Sequence, residues 1–260
     1  MRKRSKRNLS SNAGKRTPKP ELRMAAGKFV RNVLLLQIPP TEFSTIEPHL
    51  EFVNFDNADR LEREGNRIKA VYFLNSGIGS MIVETTDGRS VEVAVAGRED
   101  MIGLHVAVGL DEFSYSVVMQ VPGDGFRVTA ASMKRLLPSL PKLRDLVLRR
   151  LGIRSLELAQ NAACNRLHNV RKRLARWLLV THDRIDSDVI RITHVFLSKM
   201  VGTDRATVSV ATAELERAGV IRQGHASIAI ENRSKLEAES CDCYQLFRKL
   251  NPELGLRTKS

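Results

Sequence analysis

Apolar positions along this chain change their period twice, and each change marks a boundary. Between residues 29 and 140 they fall into short runs, at 70–74, 80–85, 90–96, 114–121 and 125–129. Val91, Val93 and Val95 alternate with Glu92 and Ala94, the period of a strand with one buried face. Turn residues separate the runs at Asn75-Ser76-Gly77, Asp87-Gly88 and Gly97. Asp-Gly favours a hairpin because both residues tolerate positive φ. Short strands with frequent turns predict a compact β-barrel or sandwich. A short helix over 41–49 is expected before it.

From about 139 to 165 the period becomes helical. Leu143, Leu146, Val147, Leu151, Leu158 and Ala162 recur at spacings of three, four and seven, behind Pro138 and Pro141. Such a helix is ~36 Å long at 1.5 Å per residue, longer than a small barrel is wide. Part of its stripe therefore needs another partner, and a second copy of the same helix would serve.

A second unit follows over 166–240. Leu167, Val170, Leu174, Trp177 and Leu178 make one amphipathic face, with Trp177 as a core anchor. The other face carries Arg166, Arg171, Lys172, Arg173 and Arg176. The stretch 193–218 then has helix-turn-helix spacing. Leu197 and Val201 face inward from a first helix, and Gly202 makes the turn. Thr203-Asp204 supplies a cap, and Val208, Ala211 and Leu215 line a second helix. Arg205, Ala206, Ser209 and Val210 would stand exposed near its start, where residues can enter a major groove and touch base edges. Val220-Ile221-Arg222-Gln223, Gly224-His225 and 226–230 read as a β-hairpin wing. Ser234 and Glu237 read as a capping box for a last short helix.

Charge sharpens this picture. The net charge is +13 over 260 residues. Residues 1–31 hold eleven Lys or Arg against one acid, and 166–223 hold eleven against six. A polyanionic partner fits both blocks. Residues 1–28 lack any apolar period and read as a disordered basic tail. No run approaches the ~18 apolar residues of a membrane helix, so no membrane is expected as a partner. Three cysteines, an odd number, fit a reducing cytoplasm. Cys241 and Cys243, with Cys164 far away in sequence, lack the spacing of a zinc or iron–sulfur site, and the six histidines show no close ligand pairing. No metal is expected. No phosphate-binding loop, nucleophile elbow or metalloprotease motif occurs, so no enzyme is expected either.

Three blocks make residues 29 to 244 resemble the Crp/Fnr family of bacterial transcription regulators. The first spans Tyr72-Phe73-Leu74-Asn75-Ser76-Gly77, Asp87-Gly88-Arg89, Val91-Glu92-Val93 and Gly97-Arg98-Glu99-Asp100-Met101-Ile102-Gly103. The second spans Ala163-Cys164-Asn165-Arg166-Leu167-His168 and Arg173-Leu174-Ala175-Arg176-Trp177-Leu178-Leu179. The third is Leu236-Glu237 with Ser240-Cys241-Asp242-Cys243-Tyr244. The resemblance implies an α+β chain with an N-terminal double-stranded β-helix (a β-roll or jelly roll) of cyclic-nucleotide-binding type over 29–140. It further implies a dimerisation helix over 141–165 and a winged helix-turn-helix over 166–244, leaving a C-terminal tail over 245–260.

It also implies a homodimer on a roughly palindromic operator, switched by a signal at the β-roll, with RNA polymerase as a further partner for an activator. Arg205 and Ser209 would read bases directly, and Ala206 and Val210 would make apolar contacts. Thr193, His194, Thr203, Thr207 and Arg222 would meet phosphates. Nucleotide-binding members follow the glycine of the phosphate cassette with Glu and place an Arg further on. Here Leu104 follows Gly103, and no Lys or Arg lies between Arg98 and Arg127. An effector pocket near Gly103 and Leu104 would lack a cation for a cyclic phosphate. Cyclic AMP and cyclic GMP are therefore not expected to bind, and no cofactor is expected. The alternative from another class is a ligand-binding signalling adaptor without specific DNA binding.

Overall fold

The computed structural model describes residues 22–254. A two-residue pair of strands, β1 (Met24–Ala25) and β2 (Lys28–Phe29), leads into helices α1 (Val33–Gln37) and α2 (Pro40–Ile46). Seven strands follow: β3 (Glu51–Phe55), β4 (Arg60–Glu62), β5 (Ala70–Leu74), β6 (Ile78–Glu84), β7 (Ser90–Ala96), β8 (Ser116–Val121) and β9 (Gly123–Thr129). Helix α3 (Ala130–Leu136) closes this part, and α4 (Pro141–Leu167) leaves it. The second part comprises α5 (Val170–His182), β10 (Val189–Arg191), α6 (His194–Val201), α7 (Arg205–Arg217), β11 (Ile221–Gly224), β12 (Ser227–Ile230), α8 (Arg233–Glu239) and α9 (Cys243–Leu250).

The N-terminal strands form two antiparallel sheets, in the orders β3-β9-β5 and β4-β8-β6-β7. Phe73 and Phe126 from the first meet Met81, Ala96, Val117 and Met119 from the second in one buried core. Five strands fall on the runs expected from the apolar pattern. β3 and β4 do not announce themselves: β3 is an edge strand alternating weakly over EFVNF, and β4 has only three residues. The 85–89 turn closes the β6–β7 hairpin, with Glu84 opposite Ser90 and Gly88 at φ +81°.

Two terminal expectations need correction. Residues 1–21 of the expected disordered tail lie outside the described residues, but 22–28 are not disordered. Arg23 donates to the carbonyls of Leu35 and Ile38 at 2.6 Å each and lies over the Phe43 ring, which ties the β1–β2 turn to α1 and α2. At the other end the chain does not become a tail at 245. Helix α9 continues to Leu250, and Tyr244, Phe247, Asn251 and Leu254 are buried. Residues 255–260 lie outside the described residues. The last-helix cap also differs: Asn232, not Ser234, accepts the Lys235 amide at 2.9 Å, and Glu237 pairs with Arg233.

Helix α4 has 27 residues and changes character along its length. Leu143 and Val147 bury against the roll, as the apolar stripe suggests. From there on the buried positions are Arg150, Arg154, Glu157 and Cys164, while Leu156, Leu158 and Leu167 are exposed. The inward face is polar because it meets polar partners. Arg150 pairs with Asp100 (3.0 Å) and Glu157 (3.2 Å), Arg154 pairs with Asp100, and Arg184 from beyond α5 pairs with Glu99 (2.9 Å). Three arginines thus face three acids, all nearly inaccessible to solvent. Arg154 also donates to the Val95 carbonyl and Asn251 donates to Glu157, so β7, the following loop, α4 and the C-terminal segment share one network. Buried charges are tolerable only when paired and hydrogen-bonded in this way.

The second core joins the two parts directly. Leu174, Trp177, Leu178, Leu197, Val208, Ala211, Leu215, Ile228 and Tyr244 pack with Ile78, Ile82, Val95 and Val118 of the four-stranded sheet. Trp177 lies there as the anchor expected, and its indole donates to Glu92 Oε1 at 2.8 Å.

Candidate nucleic-acid interface

Helices α6 and α7 form the helix-turn-helix on the residues the spacing indicated. Thr193 caps α6 through the Phe196 amide (3.2 Å), and Asp204 caps α7 through the Thr207 amide (2.9 Å). Between them Gly202 takes φ +66°, a left-handed conformation that a side chain resists. Val208, Ala211, Thr212 and Leu215 bury one side of α7. The opposite side of its first turns is open: Arg205, Ala206 and Val210 are exposed, with Val210 at 59%. A large apolar side chain left in water at that position suits contact with a thymine methyl. Among the described residues Arg205 forms no ion pair, so its guanidinium is available for a bidentate contact.

The remaining expected residues are also placed around this opening, with differing freedom. Ser209 is half-buried: its hydroxyl donates to the Arg205 carbonyl at 3.0 Å and lies 3.0 Å from His194 Nδ1. Sequence alone treats Ser209 and His194 as separate contacts; the fold makes them one unit across α6 and α7. Thr207 Oγ1 donates to Asp204 Oδ2 at 2.6 Å and so reinforces the cap, while Thr203 in the turn is partly exposed. Arg222 on the wing is exposed but paired with Glu231 at 2.7 Å, and the wing turns over His225-Ala226, with Ala226 at φ +49°.

The basic face expected around α5 is corrected in part: Arg166 and Lys172 stay exposed, but its other three arginines are taken up inside the fold. Arg173 and Arg176 are buried. Arg173 donates to Asn165, Arg176 stacks 5.2 Å over the Phe247 ring, and Arg171 pairs with Glu239 at 2.7 Å. Only Lys172 on that helix is exposed without a described ion pair.

At the loop where an effector pocket is expected, Gly103 takes φ +90° and a side chain there would meet Val71 Cγ1 at 2.9 Å. Leu104 is buried in the roll's core with Val106 and Ile102. The position next to the glycine, where the resemblance to nucleotide-binding members would put a carboxylate, is filled by hydrocarbon.

The absence of a metal-type cluster, expected from spacing, is corrected as well. Cys164, His168, Cys241 and Cys243 offer ligand atoms that all lie within 4.8 Å of one another. Seventy-seven positions separate Cys164 from Cys241 in the chain, which is why ligand spacing read along the sequence misses them. The available signal was a Cys and a His four apart at a helix end, with a C-x-C elsewhere.

Comparison with known proteins agrees with this architecture. Residues 172–239 match the Crp-like helix-turn-helix domain. No curated protein matches the chain in sequence. Among solved structures, FixK2 from Bradyrhizobium japonicum is similar with a TM-score of 0.64 at 15% identity, over 74% of this chain and 98% of that one. A CRP-family transcriptional regulator from Thermus thermophilus gives 0.61 at 19% identity, over 72% and 96%. A regulator of the Crp/Fnr family from Eubacterium rectale gives 0.64 at 14% identity, over 79% and 96%.

Proposed function

We propose that this chain, a transcription regulator of the Crp/Fnr type by its fold and its Crp-like helix-turn-helix domain, acts as a homodimer that reads a two-fold symmetric DNA site through α7. The observation that carries the reading is the exposed first turn of α7. Arg205 there is free to bridge a guanine, with Ala206 and Val210 beside it for apolar contact. The Ser209–His194 pair sets the reading edge of the helix, and Thr193, Thr203, Thr207 and Arg222 stand around it for phosphates. Arg222 would exchange Glu231 for a phosphate.

Two copies would meet along α4. The exposed side of that helix carries Leu156 and Leu167, with open space beside Gly152 one turn before Leu156, so a second helix can approach closely there. A dimer doubles the half-sites and explains why palindromic DNA is the expected target.

The β-roll senses a signal other than cyclic AMP or cyclic GMP, because Leu104 fills the place of the ribose-binding carboxylate and no cation stands nearby in sequence. The signal has a direct route to the DNA-binding part. The Glu99–Asp100 loop beside Gly103 is locked to α4 and Arg184 by the buried ion network. A ligand shifts such a system only by preferring one arrangement of that junction over another.

Selection from random DNA with purified protein tests the reading. A two-fold symmetric motif supports it, and loss of one base preference in each half-site with Arg205→Ala, the symmetry being kept, assigns the base contact. Background sequences alone, with no shift of binding across salt concentrations, would favour an adaptor that contacts protein instead.

A further inference from the structure

We propose that Cys164, His168, Cys241 and Cys243 form a mononuclear binding site for a thiophilic divalent ion of the zinc class, clasping the end of α4 to the C-terminal helices. Helix α4 ends on this cluster: the His168 amide donates to the Cys164 carbonyl at 3.1 Å, and α5 begins two residues later. Cys241 comes from the link between α8 and α9, and Cys243 opens α9. The site therefore ties the end of α4 to the last elements of the second part, beside the two-residue break between α4 and α5.

The geometry fits one ion. Cys164 Sγ lies 3.5 Å from Cys241 Sγ, and Cys243 Sγ lies 3.5 Å from His168 Nδ1. Ligands ~2.0–2.3 Å from a central tetrahedral ion stand roughly 3.5–3.8 Å apart, so these pairs match its edges. A span of 4.8 Å among all four atoms suits a single ion rather than a cluster of several irons and sulfides. Three sulfurs with one imidazole select zinc and its soft relatives over calcium or magnesium. Four protein ligands leave no open position, which makes the site structural rather than catalytic.

The surroundings match those of a metal site. All three cysteines are buried, and they form a small cluster of their own beside the second core. Gln160 Nε2 donates to Cys243 Sγ at 3.0 Å. His168 Nε2 lies 3.5 Å from Asp242 Oδ1, the outer carboxylate that orients a ligating imidazole and fixes Nδ1 as the donor to metal. Three thiolates on a dication leave one negative charge, and Arg173 and Arg176 stand close enough to act on Cys164.

Elemental analysis of the full chain, purified without chelator from zinc-supplemented cells, should find about one zinc per chain. Replacing it with cobalt(II) should produce thiolate charge-transfer and tetrahedral ligand-field bands. Cys241→Ser with Cys243→Ser should lose the metal, while His105→Ala, away from the cluster, should keep it. Asp242→Asn changes an exposed side chain and leaves the fold intact. In competition with a chelator it should weaken binding by about 10–100-fold, the usual effect of removing an outer partner. The proposal is overturned by metal-free native protein with no cobalt bands, or by metal retained in the double-cysteine variant. A Cys164–Cys241 disulfide in native protein that lacks metal would equally overturn it, and would point to thiol oxidation instead.

Discussion

Helices α5 and α7 have equal length, 13 residues, and lie in the same domain, yet they use their cations in opposite ways. By sequence α5 has the stronger claim on DNA, with Arg171, Lys172, Arg173 and Arg176 against Arg205 and Arg217 on α7. In the fold, α5 turns most of its charge inward. Arg173 and Arg176 are buried, Arg171 is paired, and just beyond the helix Arg184 is bound to Glu99. Helix α7 has less charge but leaves Arg205 exposed at its first turn. Charge counted along a chain reports how many cations there are. Pairing and burial decide which of them reach a phosphate or a base.

The largest effect expected from this contrast is structural. Arg184→Ala leaves Glu99 buried with its nearest remaining guanidinium, Arg150, at 3.9 Å. Removing one partner of a buried pair costs about 3–5 kcal/mol, and thermal unfolding should fall by roughly 10 °C for a chain of this size. An unchanged Tm would mean that the inward cations on the α5 side are not structural.

Next comes Glu92, the acceptor of the Trp177 indole on α5. Burial pushes its carboxyl up to about 7 from the usual 4.5; hydrogen bonds from Ser80 and Trp177, with Arg176 and Arg184 nearby, hold it from rising further. A raised acid is protonated in the fold while the unfolded chain ionises. Glu92 therefore lowers stability progressively as pH rises from about 4.5 to about 7, and the loss is complete above that. Its size is of order 3 kcal/mol at most. Glu92→Gln should flatten the pH profile of unfolding over that window and unfold later than the native protein at pH 8. Parallel pH profiles for the two proteins would show that Glu92 titrates normally.

On α7 the expected effect moves from stability to specificity. Arg205→Ala should leave Tm within about a degree, because surface changes rarely exceed ~0.5 kcal/mol. It should remove about 1–3 kcal/mol of base discrimination per half-site, while salt-sensitive binding to random DNA persists. The smallest effect belongs to the wing. Arg222→Ala breaks only an exposed pair with Glu231, so stability should hold. Binding should weaken evenly across sequences, and the salt slope should fall by about one for each phosphate no longer neutralised. A change of preferred sequence would make Arg222 a base reader instead.

What the chain discloses by itself follows the range of the interactions involved. The helix-turn-helix is legible because its determinants are local: the caps at Thr193 and Asp204, the left-handed Gly202 and the apolar spacing of Val208, Ala211 and Leu215 all act within a few residues. Strands β5 and β7 are legible through alternation and the Asp87-Gly88 turn. The polar stretch of α4 is not, because Arg150 and Arg154 read as solvent-facing until Glu99 and Asp100 are brought against them from some fifty positions away. The same holds for the Cys164–His168–Cys241–Cys243 cluster, and for Arg173 and Arg176, whose burial depends on Asn165 and Phe247. Asn232 displaces Ser234 as a cap because both residue types suit the role and only the backbone decides between them.

The most direct test of the account is parallel selection from random DNA with the native protein and Arg205→Ala, read by sequencing of the bound pool. The native chain should enrich a two-fold symmetric motif, and the variant should lose the base pair that Arg205 reads in both half-sites while retaining the symmetry. An identical motif from both proteins would contradict the account, since the exposed first turn of α7 would then not be what reads the DNA.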